Sequence, residues 1–373
     1  MRIRMRPILI LTMVVTPLAC MAAVAPTGST TPNAIHDLTT EMISAKLEKP
    51  AIMGPDIFPA NINPLTGVEA TEEALARRPI VVKISNAPVL VRPQAGIGAA
   101  DLVFEHYAEG GLTRFSAIFY GQAPNRVGSI RSARLIDYEL MPMYEGLLAF
   151  SGASIGVEER LNGSEFAERL FKGVLYGQPY YWRDEEIEVP HNMFMNPNAL
   201  WELAAAEGLQ EKPDFKGLAF QADAPSGSSY PANKVDIRYR ATRVQWVYDA
   251  ETGLYRRFAD GDGHYDGNTM QQVTATNVVI LYADHQYTDI IESQFQDSVS
   301  YSIEIKLWFE GDAYVFRDGQ RYDARWVRPT REDMIGLRTR DGEILPLKPG
   351  NTWFQVVRLP EQQTPAEEWI QIE

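Results

Sequence analysis

Arg126, Arg131 and Arg134 crowd into the stretch Arg126-Val-Gly-Ser-Ile-Arg-Ser-Ala-Arg134, immediately ahead of Leu135, Ile136, Tyr138, Glu139 and Leu140. The apolar spacing of that second group predicts a helix, with Ser129 or Ser132 as its N-cap. A helix N-terminus offers unpaired N–H groups and a partial positive charge, and arginines beside it suit a phosphate or a carboxylate. The competing reading is that these arginines only neutralise the chain's surplus of acids.

A second group of candidate residues lies on the hairpin that precedes them. Residues 101–108 and 112–120 are rich in aromatic and aliphatic side chains and flank Glu109, Gly110 and Gly111, which predicts two antiparallel strands. A two-residue Gly110-Gly111 turn sorts the side chains by type. One face then carries Leu102, Phe104, His106, Thr113, Phe115, Ala117 and Phe119, and the other Asp101, Glu105, Tyr107, Arg114 and Ser116. A three-residue loop mixes the two sets and places Glu105 beside Phe115. Because a one-residue slip inverts every side chain, the cleaner sorting favours the shorter loop. Glu105, Tyr107 and Arg114 become neighbours, either as a ligand floor or as an ordinary cross-strand ion pair. Arg92, Asp101 and Ser132 complete the candidate ligand set on this part of the chain.

Tyr181, Trp182 and Arg183, followed by His191 and Asn192, form the third group. The two aromatic rings suit a sugar, Arg183 an anion, and His191 general acid–base chemistry, with Glu105 the other candidate proton-transfer group. The plainer reading has His191 and Asn192 bracing the loop after Pro190. Asp260, Asp262, Asp266 and Asp284 with His264 and His285 invite a metal, but no zinc spacing or EF-hand loop is present, so no metal site and no cofactor are expected.

The elements that must position these groups follow from the same patterning. Ile80-Val-Val-Lys-Ile-Ser85 and Leu147-Leu-Ala-Phe150 read as short buried strands, the second leading into Ser151-Gly-Ala-Ser154 with Ser154 as a helix N-cap. Asn196-Pro197 opens a helix over 197–207 that stops at Gly208. Beyond a loop-like stretch at 223–231, short strand-like runs recur at 234–240, 244–248, 254–258, 277–282, 300–309, 313–316, 321–327 and 352–358. The expected fold is mixed α/β (α+β), with a mixed sheet and helices in the N-terminal part and mainly antiparallel β-structure in the C-terminal part. The expected organisation is a signal peptide over 1–20, a flexible tether over 21–60, an N-terminal domain over 61–222 and a C-terminal domain over 231–360.

The chain has 373 residues and a formal net charge of −14. That balance argues against a nucleic-acid partner, which would need a strongly segregated basic patch. Met-Arg-Ile-Arg-Met-Arg6 and the apolar run after Pro7 read as a signal peptide. Cys20, the single cysteine, stands where a lipoprotein signal places the acylated residue. The expected location is extracytoplasmic, anchored to the outer face of the cell membrane through Cys20.

Asn63-Pro-Leu-Thr-Gly67, Arg92-Pro-Gln94, Ala100-Asp101, Glu109-Gly-Gly111, Thr113-Arg114, Arg131-Ser-Ala-Arg134, Trp182-Arg-Asp184 and Pro190-His-Asn192 resemble, in order, motifs of the YerB-like lipoproteins of bacteria. Asn277-Val-Val-Ile280 and Gly350-Asn-Thr-Trp353 continue the match, which spans roughly 61–358. The resemblance implies a lipid-anchored envelope protein of mixed fold and carries over no catalytic residue. The Asp-led strand, second strand and arginine-bearing loop at 101–134 are also similar to the LytR-CpsA-Psr envelope ligases, whose arginines hold a lipid-linked pyrophosphate.

The leading expectation is therefore a binding protein for an anionic glycan or peptidoglycan-type ligand, held by Arg114, Arg131 and Arg134. An enzyme acting on envelope polymers and a scaffold for protein partners stay open, and so does turnover.

Overall fold

The computed structural model describes residues 52–373, so the expected signal segment, Cys20 and most of the expected tether lie outside the described residues. The fold is mixed α+β. Its centre is a 12-stranded sheet, built from β1 (Ile80–Ser85), β2 (Leu102–Tyr107), β3 (Thr113–Phe119), β4 (Leu147–Phe150) and β5 (Leu170–Lys172) together with strands from the C-terminal half. A second, six-stranded sheet contains β6 (Lys234–Tyr239), β7 (Thr242–Asp249) and β8 (Leu254–Ala259). The central sheet then resumes with β9 (Asn277–Phe295), β10 (Ser298–Lys306), β11 (Phe309–Arg317), β12 (Gln320–Arg328), β13 (Gly336–Thr339) and β14 (Thr352–Arg358). Finally β15 (Trp369–Ile372) adds to β6.

Strand order in the central sheet is β13-β12-β11-β9-β14-β2-β3-β1-β4-β5. The two halves of the sequence meet where β14 runs parallel to β2, with Leu102 opposite Thr352 and Glu105 opposite Gln355. One continuous sheet thus crosses the loop-like stretch at 223–231. Every residue of β1, β2, β4 and β14 is buried, as expected when both faces of a sheet are covered. The helices α1 (Glu72–Leu75), α2 (Asp137–Tyr144), α3 (Ile155–Asn162) and α4 (Pro197–Ala206) are short. Asp137 of α2 meets Lys83 of β1 on one face of the sheet, while Tyr239 of β6 packs edge-to-face on Tyr107 across the other.

The hairpin register overturns the expectation from side-chain sorting. Tyr107 pairs with Thr113, His106 with Arg114 and Glu105 with Phe115, and the Ala108 N–H donates to the Leu112 carbonyl at 2.8 Å. The loop therefore holds Glu109, Gly110 and Gly111, with both glycines left-handed at φ 72° and 75°, a conformation that glycine adopts without a Cβ clash. Sorting by polarity failed because the hairpin lies mid-sheet with both faces buried, and buried ionisable groups occupy each. Helix α2 also begins later than expected. Its N-cap position is Ile136 with no side-chain cap, so neither Ser129 nor Ser132 caps it. Instead Asp137 Oδ2 reaches back to the Arg134 N–H at 2.8 Å.

Candidate functional site

Residues 129–134 form an extended loop laid across the C-terminal ends of the parallel strands β1 and β4. The Ser85 N–H donates to the Ser129 carbonyl, the Arg131 N–H to Lys83, the Ser151 N–H to Arg131 and the Ala133 N–H to Gly152, all at 2.9–3.0 Å. These bonds fix Arg131 and Arg134 at the edge where parallel strands of an α/β sheet present ligand sites. Arg114 arrives from β3, and its Nη1 donates to the Ser132 carbonyl at 3.1 Å. The Ser151–Ser154 loop leads into α3, and Ser154 stands at its N-cap position without capping a backbone N–H. Three of the predicted arginines thus converge.

Their counter-ions are fewer than they are. Glu109, from the hairpin loop, chelates Arg134 with contacts of 2.7 Å to Nε and 2.5 Å to Nη2. Glu292 of β9 approaches the same guanidinium at 3.6 Å and accepts from Ser302 Oγ at 3.0 Å. Among the described residues neither Arg114 nor Arg131 has a carboxylate within ion-pair distance, and the Arg131 side chain donates only to the Pro190 carbonyl at 3.4 Å, with its buried Nε unpartnered. Burial, then the nearby Arg134, pushes the Arg114 pKa down to about 9. A guanidinium keeps its proton in proteins, so the penalty is better relieved by an incoming anion. Burial raises the Glu292 pKa, reinforced by Glu109 and opposed by Arg134. Burial works against ionisation of Glu109 too, but Arg134 and Arg114 outweigh it and hold its pKa low. Glu292 is delivered by the long β9–β10 hairpin, which seats on α3 where a Cβ on Gly156 would lie 2.8 Å from Ile290.

Beneath the arginines lies a sealed polar network. Lys83, His106, Ser116 and Asp137 are all fully buried. Lys83 Nζ meets Asp137 Oδ1 at 2.7 Å and His106 Nε2 at 3.1 Å, and also donates to Ser116 Oγ. His106 Nδ1 faces the Tyr107 carbonyl at 2.9 Å. A carbonyl only accepts, so the ring proton is on Nδ1 and Nε2 accepts from Lys83. Burial, then Lys83, holds His106 well below its usual pKa.

Burial lowers the Lys83 pKa from 10.5 to about 8, against the pull of Asp137. Between those values the unfolded chain binds more protons at this site than the folded one, so Lys83 adds stability as pH rises from about 8 toward 10.5 and removes it as pH falls back. The expected result is that the slope of melting temperature with pH over that window is less positive in Lys83→Met than in the parent. Parallel slopes would contradict the assignment.

Glu105 and Tyr107 lie on the opposite face of the sheet from Arg114, not beside it. Glu105 Oε2 contacts Arg257 Nη2 at 2.8 Å, and both side chains are fully buried. Arg257 Nη1 lies 2.6 Å from His264 Nδ1, His264 Nε2 lies 2.5 Å from Gln94 Oε1, and Gln94 Nε2 donates to the Ser85 carbonyl at 2.9 Å. Arginine can only donate, so His264 is neutral with its proton on Nε2. This spine ties the second sheet to the first, and Glu105 is fully buried within it. Tyr107 donates to Glu368, and Arg92 is held by Asp260 at 2.7 Å and by Asn86.

Other candidates are also placed in the framework. Asp101 accepts from the Tyr120 and Gly121 N–H groups and from Asn63. Tyr181 is buried and donates to the Phe171 carbonyl, Trp182 stacks on Phe194, and Arg183 donates to Asn192 at 2.7 Å, which braces the 184–192 loop through the Asp184 carbonyl. His191 is nearer the arginines. Burial, then Arg131, lowers its pKa, and among the described residues its Nδ1 has no partner. Arg126 pairs with Asp184 at 2.8 Å and stays outside the cluster. The acidic and histidine residues that invite a metal are dispersed: His264 serves the spine, His285 Nδ1 faces the Ala283 carbonyl, and Asp266 accepts from Gly98, Asn268 and Thr269.

The sequence reading missed Lys83, Asp137, Glu109 and Glu292. A lysine inside an otherwise apolar strand was the available signal for the first. Glu292, near the end of a 19-residue strand, gives no local signal.

Two family descriptions match in tandem: "Protein of unknown function (DUF3048) N-terminal domain" over residues 65–210 and its C-terminal partner over 235–354. A relative named "Putative lipoprotein YerB", from Bacillus subtilis (strain 168), is 31% identical over 300 residues, covering 79% of this chain and 85% of the relative. The chain belongs to the YerB-like family. The crystal structure of YerB protein from Bacillus subtilis superposes with a TM-score of 0.70 at 29% identity, covering 83% of this chain and 99% of that one. The YerB-like fold thus extends over both matched halves. Among the described residues no helix is long and apolar enough to cross a membrane.

Proposed function

We propose that this YerB-like protein is an extracytoplasmic lipoprotein, anchored through Cys20, that binds an anionic envelope ligand, a phosphate- or carboxylate-bearing glycan or peptidoglycan fragment, at Arg114, Arg131 and Arg134. The observation that carries this reading is the cationic surplus at the end of β1 and β4: among the described residues two of the three guanidiniums lack a carboxylate, and each of the two, half-buried, donates to a carbonyl. Charge-assisted bonds to an oxyanion are shorter and stronger than neutral ones, and arginine's fork suits phosphate and carboxylate geometry. His191, beside Arg131, is the remaining candidate for proton transfer on a bound ligand.

The test is a thermal-shift series on the full chain in detergent with inorganic phosphate, pyrophosphate, a sugar phosphate and a muropeptide. A ligand that binds only the folded state raises the melting temperature by mass action. The parent is expected to shift with at least one of these. Arg114→Met is expected to keep or raise the unliganded melting temperature, since it removes a poorly paired cation, while cancelling the ligand shift. No shift with any ligand at millimolar concentration, or an undiminished shift in both Arg114→Met and Arg131→Ala, overturns the proposal.

A further inference from the structure

A cavity of about 440 Å³ opens between the N-terminal turn of α2, the last turn of α3 and the β10–β11 connection. Tyr138, Arg160, Trp308, Phe309, Thr330 and Arg331 line it. Its volume falls in the range of small-ligand sites. Two large aromatic side chains stand at its mouth in contact with water: Trp308 is 41% exposed and Phe309 74%. Phe309 also has a left-handed backbone, φ 65°, a conformation unfavourable for a bulky residue. Folding gains little from an aromatic ring that is both strained and solvated, so its placement calls for another account.

The charges inside the cavity narrow the ligand class. Arg160 pairs with Glu304 at 3.1 Å, Arg331 with Glu165 at 2.6 Å and Arg328 with Glu139 at 2.6 Å. Each cation already has a carboxylate, so the cavity holds no surplus to attract a free anion, unlike the site at Arg114. A purely apolar ligand fits no better, because it would strip water from the two half-exposed ion pairs, Arg160–Glu304 and Arg331–Glu165, without replacing its hydrogen bonds. Arg160 and Arg331 both lie over the Tyr138 ring, at 5.0 and 4.7 Å, and both line the cavity with side chains 39% and 36% exposed, which leaves guanidinium donors open to a ligand. A neutral ring with a C–H face for Trp308 and Phe309 and hydroxyls for the arginines and carboxylates answers all three features.

We infer that this cavity is a saccharide-binding subsite in which Trp308 and Phe309 pack against a neutral sugar ring and Arg331 and Glu139 bond its hydroxyls. The subsite is separate from the arginine cluster but shares a helix with it. Arg160 is in the last turn of α3, six residues after Ser154, a rise of about 9 Å along the axis. A glycan could therefore set an anionic group against Arg114 and Arg131 and a neighbouring sugar in the cavity. That connection, though not the subsite itself, rests on the anion-binding reading.

The decisive experiment titrates the full chain in detergent with three neutral tetrasaccharides, chitotetraose, cellotetraose and maltotetraose, followed by tryptophan emission and by calorimetry. At least one is expected to bind saturably at millimolar concentration or below. Trp308→Ala and Phe309→Gly should each weaken binding by about tenfold or more. Phe309→Gly also releases the left-handed strain, so its melting temperature should equal or exceed the parent's, which separates lost binding from lost folding. The probes carry no charge, so the result stands apart from the fate of the arginine cluster. No binding by any of the three, or binding unchanged in both variants, overturns the inference. A Trp308→Ala variant that alters only the sedimenting mass would reassign the patch to self-association and overturn it equally.

Discussion

Arg257→Met is expected to lower the free energy of unfolding by about 3–5 kcal/mol, the cost of stranding one member of a buried ion pair. The Glu105 carboxylate would lose its 2.8 Å partner in a fully buried position. It would retain Thr113 Oγ1 at 2.8 Å, Asn86 Nδ2 at 3.2 Å and Gln355 Nε2 at 3.1 Å, which stabilise the charge without neutralising it. The guanidinium also lies over Phe115, Trp246 and Trp353 at 5.0 to 5.9 Å, and methionine fills that aromatic enclosure without a charge. Replacing both partners with apolar residues should therefore recover most of the loss, because the hydrophobic pair removes the desolvation penalty of two ions. Urea unfolding of the two single variants and the Glu105→Leu, Arg257→Met double variant gives the coupling directly. A loss under about 1 kcal/mol in Arg257→Met would mean that the spine does not hold the two sheets together.

The second large effect is expected at Asp137. Asp137→Ala removes the carboxylate that faces Lys83 and leaves an ammonium group buried with only His106 and Ser116. A loss of about 3–5 kcal/mol follows from the same asymmetry. Here stability and function are joined, because the other oxygen of Asp137 fixes the Arg134 N–H and thereby the loop that carries the arginines. Adding Lys83→Met should restore much of the stability. Ligand binding should stay weak in the double variant, since the Arg134 anchor is still missing. Recovery of both properties together would show that Asp137 acts only as a counter-ion.

Much of the local structure was legible. Ile80–Ser85, Leu147–Phe150 and Thr352–Arg358 appear as strands with the bounds their apolar runs suggest. Asn196 caps α4 with Pro197 at its first turn, as expected from residue types with a mechanism at those positions. What the residues could not reveal was which faces were covered. Sorting the hairpin by polarity assumed one wet face. In the folded protein Glu105 is satisfied by Arg257, 152 positions away, and Lys83 by Asp137, 54 positions away. Such partners leave no trace in local periodicity, so buried ions looked like surface residues. The convergence of Arg114 with Arg131 and Arg134 was foreseen as a possibility from residue type, but their counter-ion Glu292 came from a distant strand.

The parallel pairing of β2 with β14 has a consequence for the making of the protein. A ribosome delivers Leu102 long before its sheet neighbour Thr352, which lies 250 positions later. Until it emerges, β2 is an unprotected edge of buried, aromatic-rich sequence, the kind of template that recruits other chains. Contacts this distant in sequence form slowly. Docking of β14 on β2, rather than assembly of the N-terminal strands alone, completes the central sheet.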